Sequence, residues 1–395
     1  MDESAVVDAL ESSTESQPRH PLVTVVMALG LLYVFLVGIT CLSSGVKVLG
    51  AGIMDSYFGA TMNPFAGLLL GLLATTLVQS SSVTTAMIVG VVAAGHVPVS
   101  SAIPMIMGAN IGTTVTNTIA SLAHSTQSGE FKRAFAAATC HDFFNFLAVF
   151  TLLPLELITR YMMGAGIIEQ AARWAASLTM GAQGATYKSP LKAAFKAGAN
   201  TVKDGLSLIT DNPKLLGTLL AFAGFLIILV SLTAIVKVMR SAVITQVEES
   251  IHKFLGSGGP IAMLVGMLIT IMVQSSSITT SILVPLAGAG LITLREVYPM
   301  TLGSNLGTTI TALLAAFAIE GSTALAAREI ALAHLIFNSL GILVWYTPKK
   351  ARTVPLALAE WLAELSSESR KTAVLYVASG FYLLPALIFF MTEMF

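Results

Sequence analysis

Val78-Gln79-Ser80-Ser81-Ser82 and Val273-Gln274-Ser275-Ser276-Ser277 are the same five residues, 195 positions apart. Each sits between two apolar segments, 63–78 and 83–95 in one case, 258–273 and 278–292 in the other. None of the four is long enough to cross a ~30 Å hydrocarbon core alone. A polar knot between two half-length apolar segments predicts a re-entrant helical hairpin, whose tip is buried in protein or lines a wet cavity. The match extends outward from the knots. Val78–Thr116 and Val273–Thr311 align without gaps and share 18 of 39 residues, where unrelated stretches would share about two or three. Gly108-Ala109-Asn110-Ile111-Gly112-Thr113-Thr114 pairs with Gly303-Ser304-Asn305-Leu306-Gly307-Thr308-Thr309. Further on, His141, Phe144 and Asn145 pair with His334, Phe337 and Asn338. The chain is therefore a duplicated unit.

Composition gives the medium. Of 395 residues 55% are hydrophobic and 11% charged, with 21 Lys+Arg against 21 Asp+Glu, and mean hydropathy is +0.82. An average soluble domain carries roughly 25% charged residues. Soluble enzymes and disordered chains are excluded, and so is a nucleic-acid binder, which needs a basic face. Single spans are predicted near 22–42, 101–121, 134–156, 214–236, 297–319, 327–346 and 372–393. The expected fold is an all-α polytopic membrane protein. The start of the chain is acidic where a signal peptide is cationic, so the first apolar run reads as a retained span. Cys41 and Cys140 lie in apolar stretches and imply no disulfide framework.

Each unit has one span, a hairpin that returns to its own side and two more spans. Three crossings is odd, so the second copy enters inverted, the arrangement of secondary transporters with a midplane site between copies. The expected divisions are an acidic cytoplasmic tail 1–20, repeat one 21–156, an extracytoplasmic connector 157–212, repeat two 213–346, and an amphipathic segment with a final span 347–395. Short loops on the N-terminal side carry most Lys and Arg, among them Arg19, Lys132, Arg133, Arg295, Lys349, Lys350 and Arg352, against Lys47 and Arg328 opposite. The N-terminus is thus expected in the cytoplasm. Ser189–Lys203 and 354–366 read as amphipathic surface helices.

Three constellations could carry chemistry. In the first, Gln79 with Ser80, Ser81 and Ser82, and Gln274 with Ser275, Ser276 and Ser277, place hydroxyls and free amides at two half-helix starts. Each start adds about half a positive charge, which suits a compact oxyanion. The plainer reading is helix capping. In the second, Gly-x-Asn-x-Gly-Thr-Thr inside a span invites an unwound break whose carbonyls coordinate Na⁺. Asn110, Thr113 and Thr116, with Asn305, Thr308 and Thr311, add oxygens nearby, Asn110 and Asn305 being counted with the anion site. The plainer reading is close helix packing. In the third, Asp142 is an intramembrane carboxylate, a functional candidate by default. It has no acidic counterpart, since Leu335 follows His334, and a pair with His141 or a loop base is the alternative. Neither a nucleophile elbow, nor a zincin motif, nor a nucleotide fingerprint occurs, so no enzyme is expected. The hydroxyls alone accept phosphate, sulfate, arsenate or a small carboxylate, and a channel on the same scaffold stays open.

Together the two Gln-Ser-Ser-Ser knots, Gly108–Thr118, His141–Asn145, Gly303–Thr311 and Phe337–Tyr346 resemble the type II sodium-dependent phosphate cotransporters, over about 75–156 and 260–346. The resemblance implies Na⁺-coupled uptake of inorganic phosphate, preferentially the divalent ion, by elevator-like motion across a cell (inner) membrane. It implies phosphate at the knot serines, one sodium around Asn145, Ser304, Thr308 and Thr311, and a second around Thr113, Thr116, Gln274 and Asn338. Asp142 matches the position where an acid accompanies electrogenic members, hence three Na⁺ per phosphate. The pattern departs at His124, near where related members carry a Gln ligand. Phosphate, Na⁺ and the lipid bilayer are the implied partners; the oligomeric state stays open, a dimer included.

Overall fold

A computed structural model describes residues 21–49, 63–122, 128–180, 190–254, 258–319, 321 and 323–394. The expected tail 1–20 and His124 lie outside them. All regular structure among the described residues is helical. In chain order the helices are α1 (Pro21–Leu49), α2 (Pro64–Val78), α3 (Ser81–Ala94), α4 (Val99–Thr113), α5 (Val115–Ser121), α6 (Ser128–Met163), α7 (Ile167–Met180) and α8 (Pro190–Ser207). They continue as α9 (Pro213–Phe254), α10 (Gly259–Val273), α11 (Ser276–Gly288), α12 (Leu294–Ala318), α13 (Ala324–Trp345), α14 (Lys349–Glu368) and α15 (Arg370–Ala378). A π turn at Ser379–Leu383 leads into α16 (Leu384–Met394).

Six helical stretches among the described residues are long and apolar enough to cross a membrane: Leu22–Val48, Ser128–Met163, Pro213–Met239, Leu294–Ala318, Ala324–Trp345 and Arg370–Thr392. The protein is all-α and polytopic. The seventh expected span, 101–121, divides at Thr114 into α4 and α5.

Glycine sets how closely the spans approach. α1 packs along α9, and a Cβ on Gly45 would lie 2.3 Å from Ala221 N, one on Gly224 2.4 Å from Leu42 N. In lipid, where apolar side chains gain little by meeting each other, such backbone contact drives association. The same logic holds α2 to α4 and α10 to α12, with matching contacts in the two copies. A Cβ on Gly108 would sit 1.8 Å from Leu68 O, and one on Gly303 1.9 Å from Met263 O. Gly71 and Gly266 meet Met105 O and Met300 O at 2.0 and 2.2 Å in the same way.

This packing corrects one expectation. A broken helix was expected in each copy, yet α12 runs unbroken from Leu294 to Ala318 through Gly303 and Gly307. In the first copy the interruption is one residue, Thr114, still right-handed at φ −80° and ψ −20°. The motif glycines admit a neighbouring backbone instead of ending the helix. The amphipathic surface helices are present: α8 covers 190–207 against α1, and α14 covers 349–368 against α6.

Candidate functional site

Both knots fold identically. Gln79 and Gln274 end α2 and α10 in the left-handed region, at φ 58° each, and are the two non-glycine residues with positive φ among those described. Their amides close the helices onto Thr75 O and Thr270 O at 2.8 and 2.7 Å. Ser80 and Ser275 follow in extended geometry, and their Oγ atoms accept from Val83 N and Ile278 N at 3.3 and 3.4 Å. The first serine of each knot is therefore a cap. Ser81, Ser82 and Ser276 are buried, and Ser277 is half-buried. A left-handed Gln costs of order 1–3 kcal/mol, and the same outlier is held twice.

The glutamine side chains point to the other motif of their own copy. Thr116 Oγ1 donates to Gln79 Oε1 at 2.8 Å, and Thr311 Oγ1 donates to Gln274 Oε1 at 2.9 Å. The structure thus brings Gln274 to Thr311 and Thr116 to Gln79. Hydroxyls of Thr113, Ser304 and Thr308 fold back on Ala109 O, Thr301 O and Ser304 O, which keeps them on their own helices.

The copies interlock through their asparagines and histidines. His141 Nε2 lies 2.7 Å from Asn305 Oδ1, and Asn305 Nδ2 donates to Asn145 Oδ1 at 2.9 Å. Asn145 Nδ2 donates to Asn110 O at 2.9 Å, and His334 Nε2 lies 3.5 Å from Asn110 Oδ1. Asn338 Nδ2 donates to His334 O at 3.1 Å, while Asn338 Oδ1 is buried and accepts no hydrogen bond from the described residues. Asn110 and Asn305, counted with the anion site, thus face the histidine of the opposite copy. α3 packs on α12, and α5 on α11, so each serine-capped helix meets the other copy's motif span. Asn117 joins α5 to α11, bonding Thr280 and, at 3.0 Å, Ser281.

Asp142 is fully buried. Its carboxylate accepts from Thr118 Oγ1 at 2.9 Å and from Tyr376 Oη at 3.0 Å. Among the described residues no Lys, Arg or His forms an ion pair with it, so the alternative of a pair with His141 or a loop base is not what the fold makes. Tyr376 and Tyr382, whose Oη lies 3.3 Å from Gln79 Nε2, come from the last span and were not among the sequence candidates. Their one signal in the sequence is a phenol on an apolar helix, which needs a polar partner.

Comparison with known proteins follows the same duplication. The chain matches the Na⁺/Pi-cotransporter family over residues 34–173 and 227–360, once per copy. It is 36% identical over 436 residues to sodium-dependent phosphate transport protein 2A of Rattus norvegicus, covering 95% of this chain and 68% of that protein. With protein 2B of Homo sapiens it shares 34% over 445 residues, 92% of this chain and 64% of that protein. The 2A protein of Ovis aries is 36% identical over 432 residues, 93% and 67% respectively. No solved structure matches the chain. With both copies matched over more than half its length, the chain belongs to the Na⁺/Pi-cotransporter family, and it is a transporter and not an enzyme.

Proposed function

We propose that the chain is a secondary active symporter that couples Na⁺ entry to uptake of inorganic phosphate, the divalent form favoured. The observation that carries this reading is the pair of identical Gln-Ser-Ser-Ser turns, each starting a helix that packs on the opposite copy. Phosphate is assigned to Ser80, Ser81, Ser82, Ser275, Ser276 and Ser277 with Gln79 and Gln274 holding the turns. Because no Arg or Lys lies in either knot, two helix ends offset only about one unit of its charge. The rest arrives as cargo.

Sodium is assigned to Asn145, Ser304, Thr308 and Thr311, and to Thr113, Thr116, Gln274 and Asn338. The buried, unpartnered Asn338 Oδ1 and the carboxamide chain around it supply the neutral oxygens that a hard cation accepts. A third sodium offsets Asp142. A buried carboxylate with hydroxyl donors and no cation is costly, and Na⁺ beside it removes that cost. Three Na⁺ per divalent phosphate carry one net positive charge inward.

In the same reading, 21–156 and 213–346 are inverted repeats, 63–95 and 258–292 re-entrant hairpins, and the protein a multi-pass cell (inner) membrane protein with a cytoplasmic N-terminus. The helices around the knots move elevator-like against the α1–α9 pair. Matching glycine contacts in the two copies support the repeat. The test is S81A beside S276A in purified protein. Each should weaken phosphate binding at saturating sodium about tenfold or more, the loss of charge-assisted hydrogen bonds of about 1.5–3 kcal/mol, with sodium affinity in phosphate-free buffer unchanged. Equal loss of both would show that the serines only shape the turns.

A further inference from the structure

A cavity of about 250 Å³ opens beside the start of α10, lined by Gly259, Arg295, Tyr298, Tyr346, Arg352 and Thr353. Arg352 is held in place. Its Nε donates to Tyr346 O at 2.7 Å, and its guanidinium stacks 4.1 Å from the Tyr346 ring centroid. Among the described residues its two terminal nitrogens make no hydrogen bond. Arg295 contributes a second guanidinium, and the neighbouring Glu296 carboxylate is spent on Thr293 N and Oγ1, at 2.8 and 2.7 Å. Among the described residues no carboxylate stands within ion-pair distance of either arginine. Gly258 offers α10 no side-chain cap, and Lys349 and Lys350 begin the adjoining α14.

The first copy resolves the corresponding place differently. Ser100 stands where the second copy has Arg295, at the knot offset. There Arg160 Nη2 donates to Ser100 O at 2.8 Å and faces Glu156 at 3.7 Å and Glu169 at 3.5 Å. One copy neutralises its guanidinium with two carboxylates. The other places two guanidiniums around a cavity, with no carboxylate paired to either among the described residues. Like charges around a partly enclosed space repel and call for an anion. Planar guanidinium forks match the oxygens of a phosphoryl group in particular, and the cavity is smaller than the ~300 Å³ lower bound of drug-sized ligand pockets.

We propose that Arg295 and Arg352 bind a phosphoryl group here, either free inorganic phosphate or the headgroup of an anionic phospholipid. Nothing in this site requires sodium, so sodium-free buffer separates it from the proposed transport site, and its failure would leave the symport reading untouched. The experiment is phenylglyoxal modification of the full chain in nanodiscs, with the rate at each arginine read by mass spectrometry and exposed Arg173 as the reference. One arm adds inorganic phosphate to phosphatidylcholine discs in choline buffer, against chloride of equal ionic strength. The other replaces part of the lipid with phosphatidylglycerol and adds no phosphate. Binding slows Arg295 and Arg352 together by about tenfold at ten times the dissociation constant, with Arg173 unchanged. Protection in the first arm assigns free phosphate, and protection in the second assigns the headgroup. R352Q should abolish protection of Arg295, and R295Q that of Arg352, so either variant serves if the other fails to fold. Rates unchanged in both arms, or slowed equally at Arg173, would overturn the site.

Discussion

Among single residues, Asp142 bears most directly on the proposed coupling. It is buried with two hydroxyl partners and, among the described residues, no ion-paired cation, and the proposed counter-ion is sodium. Asp142→Gly should remove both the charge and the third sodium, making uptake electroneutral, with the transported charge per phosphate falling from one to zero in a current measurement paired with labelled phosphate. An unchanged charge would take Asp142 out of the coupling. The sequence pointed to Asp142 because a carboxylate inside an apolar span is rare. It did not point to Tyr376, which lies in the last span, outside the duplicated stretch, and meets Asp142 only through the fold. The His141–Asn305 and His334–Asn110 contacts were hidden for a related reason. Each pairs one copy with the other, and the alignment of two copies says which residues correspond but not which ones touch.

At the scale of the element, the knots and the glycine motif behave differently from each other. The knots were legible because a Gln-Ser-Ser-Ser between half-length helices has few folds open to it, and both copies adopt one. Its left-handed glutamine makes a prediction: Gln79→Gly or Gln274→Gly relieves a strain of order 1 kcal/mol and should raise the melting temperature in detergent while phosphate uptake falls. A fall in both would mean that the glutamine stabilises the turn. The glycine motif makes no break in the second copy and a one-residue break, at Thr114, in the first, because glycine beside polar residues suits a break and a close contact equally. Only the 1.8 Å approach of a Gly108 Cβ to Leu68 O separates them. Gly108→Ala and Gly303→Ala should each destabilise by about 3 kcal/mol or more, the upper range for overpacking against rigid backbone. Gly30→Ala, with nothing within 4 Å, should stabilise by about 0.5–1 kcal/mol. Thermal unfolding in one detergent compares them directly, and equal shifts at Gly30 and Gly108 would contradict the packing.

For the whole molecule, equal numbers of acids and bases and a charged fraction of 11% suit a chain that lives in a membrane. The site gives that neutrality a role. The knots and the Gly-x-Asn-x-Gly-Thr-Thr motifs proposed to hold phosphate and sodium contain no Lys or Arg, and the buried Asp142 has the wrong sign to offset an anion. On the proposed function phosphate binds well when sodium does, and coupling follows from electrostatics before any motion is considered. On the proposed stoichiometry, the one net charge per cycle is worth about 2.3 kcal/mol per 100 mV, enough to be read from uptake alone. The decisive measurement is labelled phosphate uptake into proteoliposomes with sodium replaced by choline and the potential clamped by potassium and valinomycin. Electrogenic symport predicts uptake only with an inward sodium gradient, rising as the interior is made more negative. Uptake equal in choline and in sodium would contradict it.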